Sequence, residues 1–374
     1  MSSMDYERGN QANGCLDRFF KLTKHGTSVK TEIFAGITMF IASVYILAVI
    51  PNLLSVSGMP HGSAVAAVIL TTAFATMLIG FVANVPVIVA PGLGLSAFFS
   101  YTICGAMGLS WQTALGAGFI VGTVFVILTV TKVLNKIVDG IPKVLKTSIG
   151  VGIGLFVAFI GFKNAHIIIS DNATFVTLGN MKDPAVLLTL LGLFITSILL
   201  AKQVKGGLFI GMAFTTILAM VLGLTKVPIS SSDIFNLVPP FQVDTFGQLD
   251  VMSAIGYGFF SIIFSITIVA MFDIIGTLLG VTRKANLVNE EGKFEGLNRA
   301  LLCTSIGAAA GAVVGTSTVT SYIESAAAVA DGGRTGLTAV VTGLLYLVSL
   351  FFAPLFLLVP VQATAPVLIT IGVF

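Results

Sequence analysis

Charge is what this sequence has least of. Only 9% of its 374 residues are Asp, Glu, Lys or Arg, against roughly 25% in an ordinary soluble domain. That shortage excludes a chain that hides a single core behind a solvated surface. Histidine and cysteine are equally scarce, three of each. Cys15, Cys104 and Cys303 are scattered without metal or redox spacing, so they imply neither a zinc site nor a disulfide framework and read as packing residues. His25, His61 and His166 all fall between apolar runs. A membrane enzyme would need a nucleophile and base or a set of metal ligands within its spans, and the sequence offers none. The first 30 residues lack an apolar core and a cleavage site, so they read as a basic cytoplasmic leader and not as a signal peptide.

What fills the chain is apolar, with 56% hydrophobic residues, 40 Gly and 29 Phe. A bilayer core about 30 Å thick takes roughly 20 residues of helix at about 1.5 Å each, and runs of that kind recur: the chain reads as an all-α polytopic membrane protein. Spans are predicted at Ile33–Ile50, Ala64–Ala83, a broken segment Val85–Ala106, Trp111–Thr131, Thr147–Phe162, Pro184–Ala201, Gly207–Leu224, Ala254–Val281 and Ala300–Val314. A second broken segment, Gly315–Ala330, precedes Gly336–Leu358, and Thr364–Phe374 opens a twelfth span that the chain does not finish. With the N-terminus inside, all of the 19 basic residues except Lys163, Lys182 and Lys226 fall in cytoplasmic loops, as membrane insertion favours. That orientation requires both broken segments to cross fully.

The first break, "VPVIVAPGLGLSAFF", is an extended run ending at Pro91, followed by glycines and a short helix from about Leu95. The second, "VVGTSTVTSYIESAAAVA", places β-branched and hydroxyl residues before a short helix from near Ser321. Each break is third in a group of seven spans. An odd-numbered unit inserts its second copy upside down, so the pattern predicts a 7+7 inverted repeat whose half-helices meet at the midplane. Irregular backbone survives there only when it is buried in protein or lines a cavity, and half-helix ends turn free N–H groups toward it. Of the 16 acidic residues, only Asp273 and Glu324 lie deep in apolar segments, with no Lys or Arg in the spans to pair with. A charge at the bilayer centre costs about 2.5–3.5 kcal/mol on the insertion scale, so the two acids are candidate site residues. "GVGIGLF", Gly150–Phe156, carries a GxGxxG-like run without a βαβ unit around it and reads as helix packing.

The stretches "AGITMF", "APGLGLSAFF", "MFDIIGTLLGVTRKANL" and "GTSTVTSYIESAAAVADGGRTGLTAVVTGLLYL" resemble the AzgA-like purine nucleobase permeases of the nucleobase:cation symporters, in register from about Leu16 to Phe374. The resemblance implies the fourteen-span fold of the uracil and urate transporters. On it, residues 1–30 are the leader, 31–135 and 251–360 the two parts of a core domain, 136–250 the first part of a gate domain, and 361–374 the start of an incomplete second part. It implies proton-coupled uptake of adenine, guanine or hypoxanthine at the cell membrane, with Glu324 as the substrate-binding glutamate of span ten and Asp273 as the acid of span eight. Both acids are candidate proton carriers. A purine needs an acceptor for its N–H edge, backbone N–H donors and an aromatic face. Glu324 supplies the first, the half-helices near Ser96, Thr320 and Ser321 the second, and Phe98 or Phe99 the third. The family pattern departs at Ser96, commonly Asn, and at Ala270, commonly Asp or Asn, two positions that the family uses around the substrate. The implied partners are a purine base, the coupling proton and membrane lipid, with a homodimer left open; neither cofactor, metal nor nucleic acid is expected. An anion transporter of the same architecture is the alternative, and it would favour a basic residue over two acids at the site.

Overall fold

The computed structural model describes residues 14–134, 143–236, 244–256, 259–289, 294 and 296–373. Arg8 of the leader, Lys136 and Lys293 of the basic loops, the predicted domain junction at 135/136, residues 257–258 of the predicted eighth span and Phe374 lie outside them.

Sixteen α-helices are described: α1 (Cys15–Phe20), α2 (Val29–Ser43), α3 (Ile46–Ser55), α4 (His61–Ala83), α5 (Leu93–Ala97), α6 (Trp111–Val130), α7 (Lys143–Asn164), α8 (Pro184–Ala201), α9 (Gly207–Val221), α10 (Val251–Gly256), α11 (Phe259–Lys284), α12 (Leu297–Val314), α13 (Ser325–Ala330), α14 (Gly336–Ser349), α15 (Ala353–Leu357) and α16 (Val361–Val373). Four short strands join them: β1 (Val89–Pro91), β2 (Ile168–Asp171), β3 (Phe175–Leu178) and β4 (Val319–Ser321). Seven helical stretches are long and apolar enough to cross a membrane. Starts are set by local chemistry. Ser28 and Ser110 accept from the N–H groups of Thr31 and Thr113, and Asp183 accepts from Ala185 ahead of Pro184.

The first predicted span is divided. The chain turns at Val44–Tyr45 between α2 and α3, and Pro51, inside α3, has no N–H to return to Leu47. The first broken segment also has more structure than expected. Its helix starts at Leu93, two residues before the expected point, and widens from Phe98 to Ala106 into i→i+5 turns, as where Met107 N–H donates to Thr102 O at 2.9 Å. The β2–β3 hairpin was not expected from the sequence at all; Asp171 nucleates its turn by accepting from the N–H groups of Ala173 and Thr174, both at 2.8 Å.

Helices α2, α4, α6, α11, α12 and α14 pack around β1 and β4, while α7, α8, α9 and α16 form a second group. A seam separates the groups, crossed by contacts of α7 with α5 and α11, α3 with α16, and α2 with α9. Small residues allow the close approaches within each group. A Cβ on Gly336 would lie 1.9 Å from Gly80 O, and one on Gly122 would lie 2.5 Å from Ala309 N. Backbone cannot yield as a side chain can. Gly336→Ala is therefore expected to separate α4 from α14 at a cost of about 1–3 kcal/mol, lowering the temperature of half-unfolding in detergent; Gly62→Ala, which meets nothing within 4 Å, is expected to leave it unchanged.

A third acid proves to be buried. Glu32, near the start of α2, is fully enclosed and accepts from the N–H groups of Arg334 (2.9 Å), Thr335 (3.2 Å) and Thr338 (3.3 Å) and from the Thr338 hydroxyl (2.6 Å). Asn84 Oδ1 takes the Gly336 N–H at 2.8 Å. The N-terminus of α14, whose first N–H groups have no partner in their own helix, is thus satisfied by side chains from two other helices.

Candidate functional site

The two broken segments pair with each other. β1 and β4 run antiparallel with Val89 opposite Ser321, Ala90 opposite Thr320 and Pro91 opposite Val319. Two residues beyond the ladder remain bonded across it, with Tyr322 N–H donating to Ile88 O and Gly92 N–H to Thr318 O, each at 3.1 Å. Side chains meet the outer edge of β1. Thr76 Oγ1 accepts from Val89 N–H at 3.0 Å and donates to Val89 O at 3.1 Å, and Ser325 Oγ accepts from Ile88 N–H at 3.0 Å. Extended backbone inside an apolar protein requires this accounting, and it explains Ser325 of the second segment.

The crossing strands leave a cavity of about 200 Å³ in the seam. Its polar wall is made by Tyr45, Asp273, Thr277, Thr320, Ser321, Tyr322 and Glu324, and the opposite wall by Ile153, Val157 and Ile371 with Gly94, Gly150, Gly154 and Gly372. Glu324 stands at the N-terminal boundary of α13, half-buried, where the Tyr45 hydroxyl donates to its carboxylate. Asp273, from the middle of α11, faces the Thr320 hydroxyl, and Thr277 follows one turn later on the same face. Ser321 Oγ is buried, with no hydrogen-bond partner among the described residues. Among the described residues, no lysine or arginine lines the space.

Of the predicted site residues, Asp273, Thr320, Ser321 and Glu324 meet at this cavity, while Ser96, Phe98 and Phe99 are not among its lining residues. Ser96 is buried in α5 and bonds to the Ser317 hydroxyl at 2.6 Å, tying the two broken segments together. Phe99 is buried in the core, with Phe98 packed against it. Ala270 is wholly buried one turn from Asp273. The expectation that α13 begins near Ser321 is corrected by the structure: Val319–Ser321 is strand, and the helix starts at Ser325, because the pairing with β1 holds the preceding residues extended.

Sequence reasoning passed over Tyr45, Tyr322 and Thr277. A signal was available for the tyrosines: a phenol deep in an apolar run must bond to something. Tyr322 donates to Pro91 O and Tyr346 to Ser43 Oγ at 2.9 Å, framing the site beside the Tyr45 contact.

The sequence matches the permease family Xan_ur_permease over residues 30–374. The chain belongs to that family. This permease is 40% identical over 372 residues to the adenine permease AdeP of Escherichia coli K12, covering 99% of this chain and 82% of the relative. It is 40% identical over 368 residues to the guanine/hypoxanthine permease PbuG of Bacillus subtilis, covering 96% of this chain and 82% of the relative. Among solved structures, the transmembrane domain of the cyanobacterial bicarbonate transporter BicA shares the fold, with a TM-score of 0.67 over 92% of this chain and 88% of the other at 14% identity. The permease is thus a multi-pass membrane protein and not an enzyme.

Proposed function

We propose that this permease takes up purine nucleobases by proton symport and binds the base in the cavity between Asp273 and Glu324. The observation that carries the reading is the meeting of Asp273 and Glu324, two acids deep in apolar segments, with the Thr320 and Tyr45 hydroxyls at the crossing of two broken spans. A neutral, flat base offers N–H donors to the Glu324 carboxylate and ring nitrogens to the Thr277 hydroxyl, while the glycines opposite leave a low wall against which a flat ring can lie. Permeases for adenine and for guanine/hypoxanthine are similar over nearly the whole chain, which supports the purine class without choosing between amino- and oxopurines. Bicarbonate carriers share the fold, but an anion would face two carboxylates here with no lysine or arginine to offset them.

The antiparallel pairing of β1 with β4 supports the 7+7 inverted repeat, since two copies related by inversion bring equivalent strands together in opposite directions. The two helix groups correspond to a core and a gate that move along the seam, with the N-terminus and the Lys205 loop on the cytoplasmic side of the cell membrane. Uptake of tritiated adenine, guanine, hypoxanthine and uracil by cells lacking their own permeases tests the reading. Purine accumulation that collapses with a protonophore is expected. Preference for uracil, or accumulation indifferent to the proton gradient, would overturn the substrate class or the coupling respectively.

A further inference from the structure

The seam holds a second cavity. It is larger than the first, about 460 Å³, and lies toward the end marked by Lys163 and the β2–β3 hairpin. The same elements line both spaces in successive positions: α2 and α3 contribute Tyr45 to the first and Val49 to the second, α7 contributes Val157 and then Lys163, and α16 contributes Ile371 and then Leu368. Tyr45 to Val49 and Ile371 to Leu368 are each about one helical turn. The two cavities therefore stand in line along the seam.

The polarity of the second cavity is opposite to that of the first. No aspartate or glutamate lines it. Tyr101 from the widened helix donates its hydroxyl to Asn164 Oδ1 at 2.5 Å, a bond that crosses the seam and fixes the carboxamide with its NH2 group left to donate. The Lys163 ammonium lies 5.1 Å from the centroid of the Tyr101 ring. A phenol ring, an oriented amide donor and an ammonium are thus held side by side, and the rest of the wall is aliphatic except for Asn52, His166, Ser170 and Thr364. An occupant that satisfies these groups is flat and carries acceptors, ring nitrogens or a carbonyl, on one edge.

We propose that this outer cavity is a second, weaker binding site for the transported heterocycle, one that engages its acceptor edge at Tyr101, Lys163 and Asn164 before its N–H edge reaches Glu324. The inference rests on the purine reading above and adds a site to it. Because Tyr101 and Asn164 stand on opposite sides of the seam, a base held there also lies where the two helix groups must part to admit it.

Equilibrium binding of tritiated adenine and hypoxanthine to the purified full chain in detergent tests the site, with Glu324→Gln used to disable the inner cavity. Glu324→Gln is expected to retain weak binding, with Kd raised by about 100-fold, and Tyr101→Leu with Asn164→Leu added to it to weaken that residual binding by at least about tenfold, equivalent to roughly 1.4 kcal/mol. The same pair of substitutions in the otherwise unchanged protein is expected to leave tight binding within about threefold, which also shows that the variant folds. No residual binding in Glu324→Gln, residual binding indifferent to Tyr101 and Asn164, or displacement of the residual base by excess inorganic phosphate would each overturn the proposal while leaving the inner site standing. Absence of purine binding by the unchanged protein would overturn both.

Discussion

Glu324→Gln is expected to reduce initial purine uptake by about two orders of magnitude at equal abundance in the membrane. The substitution keeps shape and removes charge. The Tyr45 hydroxyl that now donates to the carboxylate can donate equally to the amide oxygen of Gln, so the local fold is retained. What changes is the face offered to the base: one oxygen becomes an NH2 group, and a ligand N–H then meets a donor. A hydrogen bond to a charged group contributes about 1.5–3 kcal/mol, and a buried donor left without an acceptor costs about 1–3 kcal/mol more. Each 1.4 kcal/mol is a factor of ten, so two decades is the lower part of that range. Measured uptake at the level of the unchanged protein, with Gln at position 324 and normal surface abundance, would remove Glu324 from the binding role.

Asp273→Asn is expected to separate exchange from accumulation. Asp273 lies in the same cavity as Glu324 but on α11, facing Thr320, so on the proposed reading a proton taken up there would act on the bound base without occupying its place. Asn holds the same space and hydrogen-bonds Thr320 without taking up or releasing a proton. Vesicles carrying this variant should exchange labelled for unlabelled base at a rate within about threefold of the original, while an imposed pH gradient, expected to drive accumulation by the unchanged protein, should drive none. Concentrative uptake that still follows the gradient would exclude Asp273 as the coupling group. Loss of exchange together with accumulation would instead assign Asp273 to base binding.

Much of the architecture could be read directly from residue type and order. A chain with 9% charged residues has few alternatives to apolar helices, and the predicted bounds of Pro184–Ala201 coincide with α8 because an Asp cap and a Pro mark its start and a basic loop its end. The broken segments were legible for the same reason: Pro91 cannot continue a helix, and a run of Val, Thr and Ser favours extended backbone. Asp273 and Glu324 stood out because burial of an acid is costly wherever it happens. Glu32 did not, since its position at the edge of a span resembles that of any solvated acid; only the arrival of the α14 N-terminus, some 300 residues later in the chain, turns it into a buried cap.

The sequence by itself determined that this is a helical membrane protein, where its two backbone breaks fall and which two acids are out of place. Tertiary structure alone decided that the breaks pair with each other, that Tyr45 rather than a cation meets Glu324, that Ser96 ties the two broken segments together instead of lining the cavity, and that the site sits in a seam with a second cavity in line with it. The division has a physical cause. Burial cost and backbone preference belong to single residues and their neighbours in the chain, whereas hydrogen-bond partners and cavities come from segments hundreds of residues apart, brought together by packing that no local pattern encodes.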